Sequence, residues 1–323
     1  MLEPDVRLSD VLAAQARLAP YLVPTPLQPS PAAREALGGE VLLKLEMFQP
    51  IRVFKIRGAL NRILHLREDG HSGGVITASA GNHGMAVAYA AERFALPATV
   101  CVPEGANQAK VRAIRRLGAR IVAAGEDYQA ASEHADRIAR DEGLTYVHAY
   151  DDVDVVSGQA TLGMELLVQP QPFDAVVVPI GGGGLIGGVA LAIKRHRPEV
   201  RVYGVAMSGA DSMVRSLAAG RVVSLPEVRT IADGLAPRRP SERTLSLVQR
   251  YVDDIFVIDD EDLYRALHLL LFEEHLIVEP SGGAALAALM RHGVRRFGQR
   301  PVAVLSGGFC ADDVLRRVVQ LDT

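Results

Sequence analysis

Only four lysines occur in the 323-residue chain, Lys44, Lys55, Lys110 and Lys194, so chemistry that needs a neutral, nucleophilic amine has four candidates. Lys55 differs from the others in setting: it lies between Phe54 and Ile56, at the head of a helical pattern that continues through Leu60, Ile63 and Leu64. Apolar neighbours strip water from an ammonium and pull its pKa toward the neutral amine that a Schiff base requires. An isolated lysine on a helix would instead lay its stem along the surface and keep its charge in water. The other motifs of the chain decide between these two readings.

The run Gly181-Gly182-Gly183-Gly184 follows a β-branched stretch at 175–178 and opens a helical pattern through Leu185, Ile186, Val189, Ala190 and Ile193. Bare amides at a helix start suit a phosphate dianion, because no Cβ blocks the approach and the helix end is positive. A tight packing turn would need fewer than four glycines. Gly182, Gly184 and Gly187 also fit a dinucleotide fingerprint, but Val205, Ala206 and Met207 stand where the ribose-binding acid belongs, which disfavours a nicotinamide cofactor. A second small-residue helix start, Ser79-Ala80-Gly81-Asn82-His83-Gly84, offers amides and a hydroxyl to a carboxylate. His83 there is read as an orienting or structural residue, without a proton-transfer role. A third turn, Leu305-Ser306-Gly307-Gly308, closes a strand; alone it would be read as a helix cap.

These residues need a scaffold that brings strand ends together. From Gly74 onward, β-branched runs alternate with amphipathic stretches, the pattern of βα units on a mostly parallel sheet. Strands are predicted at Val75-Ile76-Thr77, 99–102, 120–122 and Tyr146-Val147-His148, with helices over 85–94, 108–117 and 127–142 between them. After an Asp-rich join at 151–154 a second series follows, with strands at 175–178, 201–205, 254–258 and 302–305. The first seventy residues, with a helix near 9–19, a turn at Pro24-Thr25-Pro26 and a strand at 41–45, are assigned to this second series. The predicted fold class is α/β, in two lobes, each with a mostly parallel twisted sheet flanked by helices. The predicted division is a large cofactor-binding domain of residues 1–68 and 149–323 and a small domain of residues 69–148 carrying the carboxylate loop. Ligands of such sheets bind at the carboxyl ends of the strands, where the three turns fall.

Composition narrows the functions further. A net charge of −3, a pI near 6.3 and 49% hydrophobic residues give no electrostatic reason to expect nucleic acid or a membrane surface. Cys101 and Cys310 stand far apart, with no CxxC pair and no spaced histidines, so a reducing compartment and no zinc site are expected. Met1-Leu2-Glu3-Pro4-Asp5 lacks the basic start and apolar run of a signal peptide, and the cytoplasm is the expected location. The uncharged stretch 175–193 reaches membrane-span length but is read as buried strand, loop and helix.

In this order, and across nearly the whole chain, the motifs resemble the fold-type II pyridoxal-phosphate enzymes, whose fold is that of the tryptophan synthase β chain, and within them the threonine/serine dehydratases and serine racemase. The resemblance implies that Lys55 joins pyridoxal 5′-phosphate as a Schiff base with Phe54 beside the ring, and that Gly181, Gly182, Gly183 and Gly184 cradle the phosphate. It further implies that Asn82 bonds the ring's 3′-oxygen, that Ser306 faces the pyridine nitrogen, and that Gly234, in Ile231-Ala232-Asp233-Gly234, lies close to the cofactor. Glu279, in Val278-Glu279-Pro280-Ser281-Gly282-Gly283, would be the active-site acid, and Ser79, Ala80, Gly81 and His83 would form the substrate carboxylate loop. The implied activity is loss of water and ammonia from L-threonine, L-serine or a related 3-hydroxy amino acid, in a homodimer. A neutral serine at the pyridine nitrogen makes the ring a weaker electron sink than a carboxylate would, consistent with early loss of a β-leaving group. Lys55 would take the Cα proton while the cofactor phosphate protonates the departing hydroxyl.

The chain also departs from that pattern. Ile51-Arg52-Val53 replaces the usual Thr-Gly-Ser or Thr-Gly-Ala, with Arg52 a candidate contact for an acidic substrate; Met85 replaces a glutamine, and Phe309 an asparagine. Ala80 stands where the racemases carry a second serine, so racemisation is not expected. Ala206 and Ser212 stand where metal-activated relatives have acids, so no divalent requirement is expected, and no appended regulatory domain is expected after the last motif. The alternatives are a β-replacement transferase of the cysteine-synthase type and a catalytically silent pyridoxal-phosphate-binding protein.

Overall fold

The structure, a computed structural model, describes residues 5–106 and 108–321. The N-terminal residues Met1 to Pro4, part of the stretch read for a signal peptide, and the end of the chain at Thr323 lie outside the described residues. Among the described residues ten strands form two sheets. They are β1 (Leu27–Pro29), β2 (Leu42–Leu45), β3 (Val75–Ala78), β4 (Ala98–Val102), β5 (Arg120–Ala123), β6 (Thr145–Tyr146), β7 (Ala175–Pro179), β8 (Arg201–Met207), β9 (Asp254–Ile258) and β10 (Pro301–Leu305). The six-stranded sheet has the order β1-β2-β10-β7-β8-β9, parallel except for the antiparallel edge β1. The four-stranded sheet, β5-β4-β3-β6, is parallel throughout. Strands β2, β3, β7 and β10 are buried along their whole length, as helices on both faces of a parallel sheet require.

Several elements differ from the sequence reading, each for a local reason. The Asp-rich join is the start of a helix, Val153–Val168, with Asp152 as N-cap accepting from Val155 N at 3.0 Å. Gly158 and Gly163 inside that helix hide its pattern, and both are needed: a Cβ at Gly158 would meet Gly58 Cα at 2.7 Å, and one at Gly163 would meet Ala192 Cβ at 2.9 Å. The sixth strand stops at Tyr146 instead of running to His148, because His148 Nδ1 accepts from Tyr150 N and Asp151 N and turns the chain. The helix placed over 85–94 begins at Asn82, and β1 and a short helix, Pro31–Leu37, were not foreseen. The 175–193 stretch is strand, loop and helix, and among the described residues no helix is long and apolar enough to cross a membrane.

A buried charge network fixes the helix Lys55–Glu68. Arg57, 1% exposed, donates to both oxygens of Glu46, to both of Glu165 and to Thr161 Oγ1 at 2.6–3.2 Å. Lys44 Nζ donates to Glu165 Oε2 at 2.7 Å and to Thr25 O at 2.7 Å. Two cations face two carboxylates, so the cluster is neutral while every member has a partner. Burial alone would raise the carboxyl pKa of Glu46, yet the Arg57 fork holds it below the ordinary value. Beside the network Gly58 and Gly158 let the two helices touch backbone to backbone.

Candidate active site

Lys55 is the first residue of its helix, and the loop before it is zipped to the turn after β10. Phe54 N donates to Ser306 O at 3.0 Å, Gly308 N donates to Arg52 O at 2.9 Å, and Val53 bridges Gly307. Ser306, 2% exposed, is thereby seated beside the Lys55 loop, with its Oγ 3.5 Å from Ser281 O. Lys55 Nζ lies 5.2 Å from the centre of the Phe54 ring and donates to Ala149 O at 3.0 Å. Burial lowers its pKa to about 8, with the charge of Glu279 acting the other way. At pH 7 about one free amine in ten is then neutral, against fewer than about one in a thousand for an ordinary lysine. The rate of covalent attachment of an aldehyde to this amine is expected to rise about tenfold per pH unit up to about 8 and then level off. Stopped-flow absorbance after mixing cofactor-free protein with pyridoxal phosphate measures it; a rise continuing unchanged to about pH 10 would show an unperturbed lysine.

The glycine run lies between β7 and the helix Gly184–His196 and has no room for side chains. A Cβ at Gly181 would overlap Gly234 O, one at Gly182 would overlap the Tyr150 ring, and one at Gly183 would meet Met213 Cε at 2.6 Å and Thr244 Cβ at 2.9 Å. Gly183 also has φ +90, a conformation that favours glycine. Gly234 therefore abuts the glycine run, held by a bond from its N to Ser281 Oγ at 2.9 Å.

The other small-residue turn leaves the four-stranded sheet at β3. Ser79 N donates to Cys101 O, Ser79 Oγ accepts from Gly81 N at 3.2 Å, and Gly81 precedes the helix Asn82–Arg93. Asn82 Nδ2 donates to both oxygens of Glu279 at 2.7 and 2.9 Å, joining residues 197 apart in sequence. Burial pushes the Glu279 carboxyl up to about 7, against the bond from Asn82 and the charges of Lys110 and Lys55. His83, 3% exposed, donates from Nε2 to Val147 O at 3.0 Å, and its Nδ1 has no partner among the described residues. Burial, helped by the Lys55 charge, lowers its pKa to about 3, so it is neutral across the working range.

Two features were missed from sequence. The segment His148-Ala149-Tyr150 supplies the acceptor for Lys55 and the wall beside Gly182; His148 was read as the end of a strand, and Ala149 and Tyr150 carried no signal between it and the Asp-rich join. Lys110 pairs with Asp233, linking the helix Gln108–Arg116 to the turn that holds Gly234. Arg57, two residues after Lys55, has partners distant in sequence, Glu46 and Glu165, that no local pattern announces. Four of the departures fall together: Met85 is buried in an apolar cluster with Val100, Val102 and Ile114, against which Ile51, Ala80 and Phe309 pack. Arg52 lines a surface groove with Phe48, His275 and Ile277.

A glycine run packed too closely for side chains, joined through Ala149 and Tyr150 to a buried amine of lowered pKa, suits a phosphate-bearing aldehyde and the chemistry of a Schiff-base enzyme. The chain belongs to the pyridoxal-phosphate dependent enzyme family, which it matches over residues 18–307. The L-threonine ammonia-lyase of Thermotoga maritima is 38% identical over 97% of this chain and 78% of its own length. The structure of maize serine racemase superposes with a TM-score of 0.91 at 34% identity, covering 97% of both chains. That of the processed form of threonine deaminase isoform 2 from Solanum lycopersicum gives 0.90 at 34% identity, covering 97% of this chain and 91% of the other.

Proposed function

We propose that the protein is a pyridoxal-phosphate-dependent ammonia-lyase that converts L-threonine, L-serine or a related 3-hydroxy amino acid to a 2-oxo acid and ammonia. The observation that carries this reading is the turn that links the buried Lys55 amine to the glycine run: Ala149 O accepts from Lys55 Nζ at 3.0 Å, and the ring of the next residue, Tyr150, lies against Gly182. Lys55 would anchor the cofactor, Gly181, Gly182, Gly183 and Gly184 would hold its phosphate, and Asn82 its ring oxygen. Ser306 would face its pyridine nitrogen, with Phe54, Gly234 and Glu279 around the ring. When bound, pyridoxal phosphate draws electrons from the Cα of the amino acid attached to it. The Ser79 hydroxyl and the amides of Ala80, Gly81 and His83 would bind the substrate carboxylate. Lys55 Nζ would take the Cα proton, and Ala149 O, its acceptor in the structure, would hold the resulting ammonium. The Ala80 methyl packs in the apolar cluster and offers no second base, which supports elimination over racemisation.

The same proposal takes residues 69–148 as a small domain that closes on the remainder, with the Lys110–Asp233 pair spanning the two. It takes the protein as a cytoplasmic homodimer, since Cys101 and Cys310 are both free thiols and two-fold dimers are the commonest soluble oligomers. Release of 2-oxo acid from L-threonine, L-serine, threo-3-hydroxyaspartate and 3-phenylserine tests the activity, and turnover of at least one is expected. Turnover only when a sulfur nucleophile is added would mean β-replacement. Bound-cofactor absorption with no turnover would mean a silent binding protein.

A further inference from the structure

Tyr150 belongs to none of the motifs legible in the sequence, yet it touches both the glycine cradle and the turn that receives the Lys55 amine. Its ring lies against the bare face of the glycine run: the three atoms nearest a Cβ at Gly182 are all Tyr150 ring atoms, and a Cβ at Gly184 would meet Tyr150 Cβ at 3.1 Å. On the other side the run is walled by Met213 and Thr244 at Gly183. The ring is itself immobilised. Its hydroxyl donates to Arg239 O at 3.0 Å, it meets the His148 ring edge-on at 4.7 Å, and His148 Nδ1 accepts from its backbone N at 3.3 Å. One residue earlier in the chain, Ala149 O accepts from Lys55 Nζ at 3.0 Å. A single rigid turn therefore contacts both the amine and the cradle.

We infer that Tyr150 is a positioning residue of the cofactor site: its ring sets where the glycine run sits, and the run must be glycine at 182 because the ring is there. This rests on the reading that the run holds the cofactor phosphate. Without the ring the run can settle toward the space left, and its amides no longer converge on the phosphate. With the ring present, any side chain at 182 must push the run away from it.

The test is a double-mutant cycle on cofactor binding, with dissociation constants for pyridoxal phosphate and for phosphate-free pyridoxal titrated by absorbance. Tyr150→Ala and Gly182→Ala are each expected to weaken pyridoxal phosphate by about tenfold to a hundredfold while pyridoxal changes little. The double variant is expected to bind more tightly than Gly182→Ala alone, because the obstacle has gone. Tyr150→Phe keeps the ring, loses one neutral hydrogen bond, and is expected to stay within about fivefold of the parent. Thermal unfolding of each variant separates loss of fold from loss of binding, and Tyr150→Phe keeps the inference testable if Tyr150→Ala does not fold, since loss of phosphate-specific affinity in that folded variant would overturn it. Unchanged affinity in Tyr150→Ala, or a double variant no better than Gly182→Ala, also overturns the inference and leaves the cradle reading intact. If the parent protein itself binds pyridoxal as tightly as pyridoxal phosphate, the cradle reading fails and the inference with it.

Discussion

Replacing Lys55 by alanine is expected to lower turnover by on the order of a thousandfold or more and to abolish the visible absorption of lysine-attached cofactor. No other amine can substitute. Lys44 is fully buried in the charge network at Glu165, Lys110 is paired with Asp233, and Lys194 pairs with Asp253. In the proposed mechanism the proton acceptor and the covalent anchor would both be lost in one substitution, which is why the expected effect exceeds that of removing a single hydrogen bond. The glycine cradle is untouched, so phosphate-dependent affinity should persist in a weakened form, and equilibrium dialysis can detect it. A Lys55→Ala protein that keeps the absorption would remove Lys55 from the proposed site, and one that unfolds is recognised by its circular dichroism.

Arg57→Leu is expected to cost about 3–5 kcal/mol of stability, because it leaves the buried Glu46 and the partly buried Glu165 without their main partner. The guanidinium makes five hydrogen bonds in the interior, and Lys44 can neutralise only one of the two acids by direct contact. Leucine fills much of the volume, so the loss is electrostatic more than a cavity effect. Urea unfolding read by circular dichroism measures it; a shift below about 1 kcal/mol would show that water or rearrangement solvates the acids. The effect should extend to the site, since Arg57 lies two residues after Lys55 on the helix whose start places the amine.

Each chemical motif was legible in the sequence because its signal is local. Four glycines between a β-branched run and a helical pattern announce a bare helix start, and Phe54-Lys55-Ile56 announces a lysine with apolar neighbours, whatever the rest of the chain does. The parallel strands were legible for the same reason, as short buried runs spaced by helices, and the comparisons bear out the α/β family fold. The helix Val153–Val168 was hidden, because its interior glycines are there for contacts with Gly58 and Ala192 that appear only once the helices pack. Proximity across the sheets is likewise decided by tertiary structure alone: Asn82 against Glu279, Lys55 against Ala149, and Tyr150 against Gly182. So are the pKa values, about 8 for Lys55 and about 7 for Glu279, since both follow from desolvation, a property of the packed interior. Residue type and spacing thus determined which chemistry the chain can carry, while packing decided which atoms meet to carry it and in which protonation state.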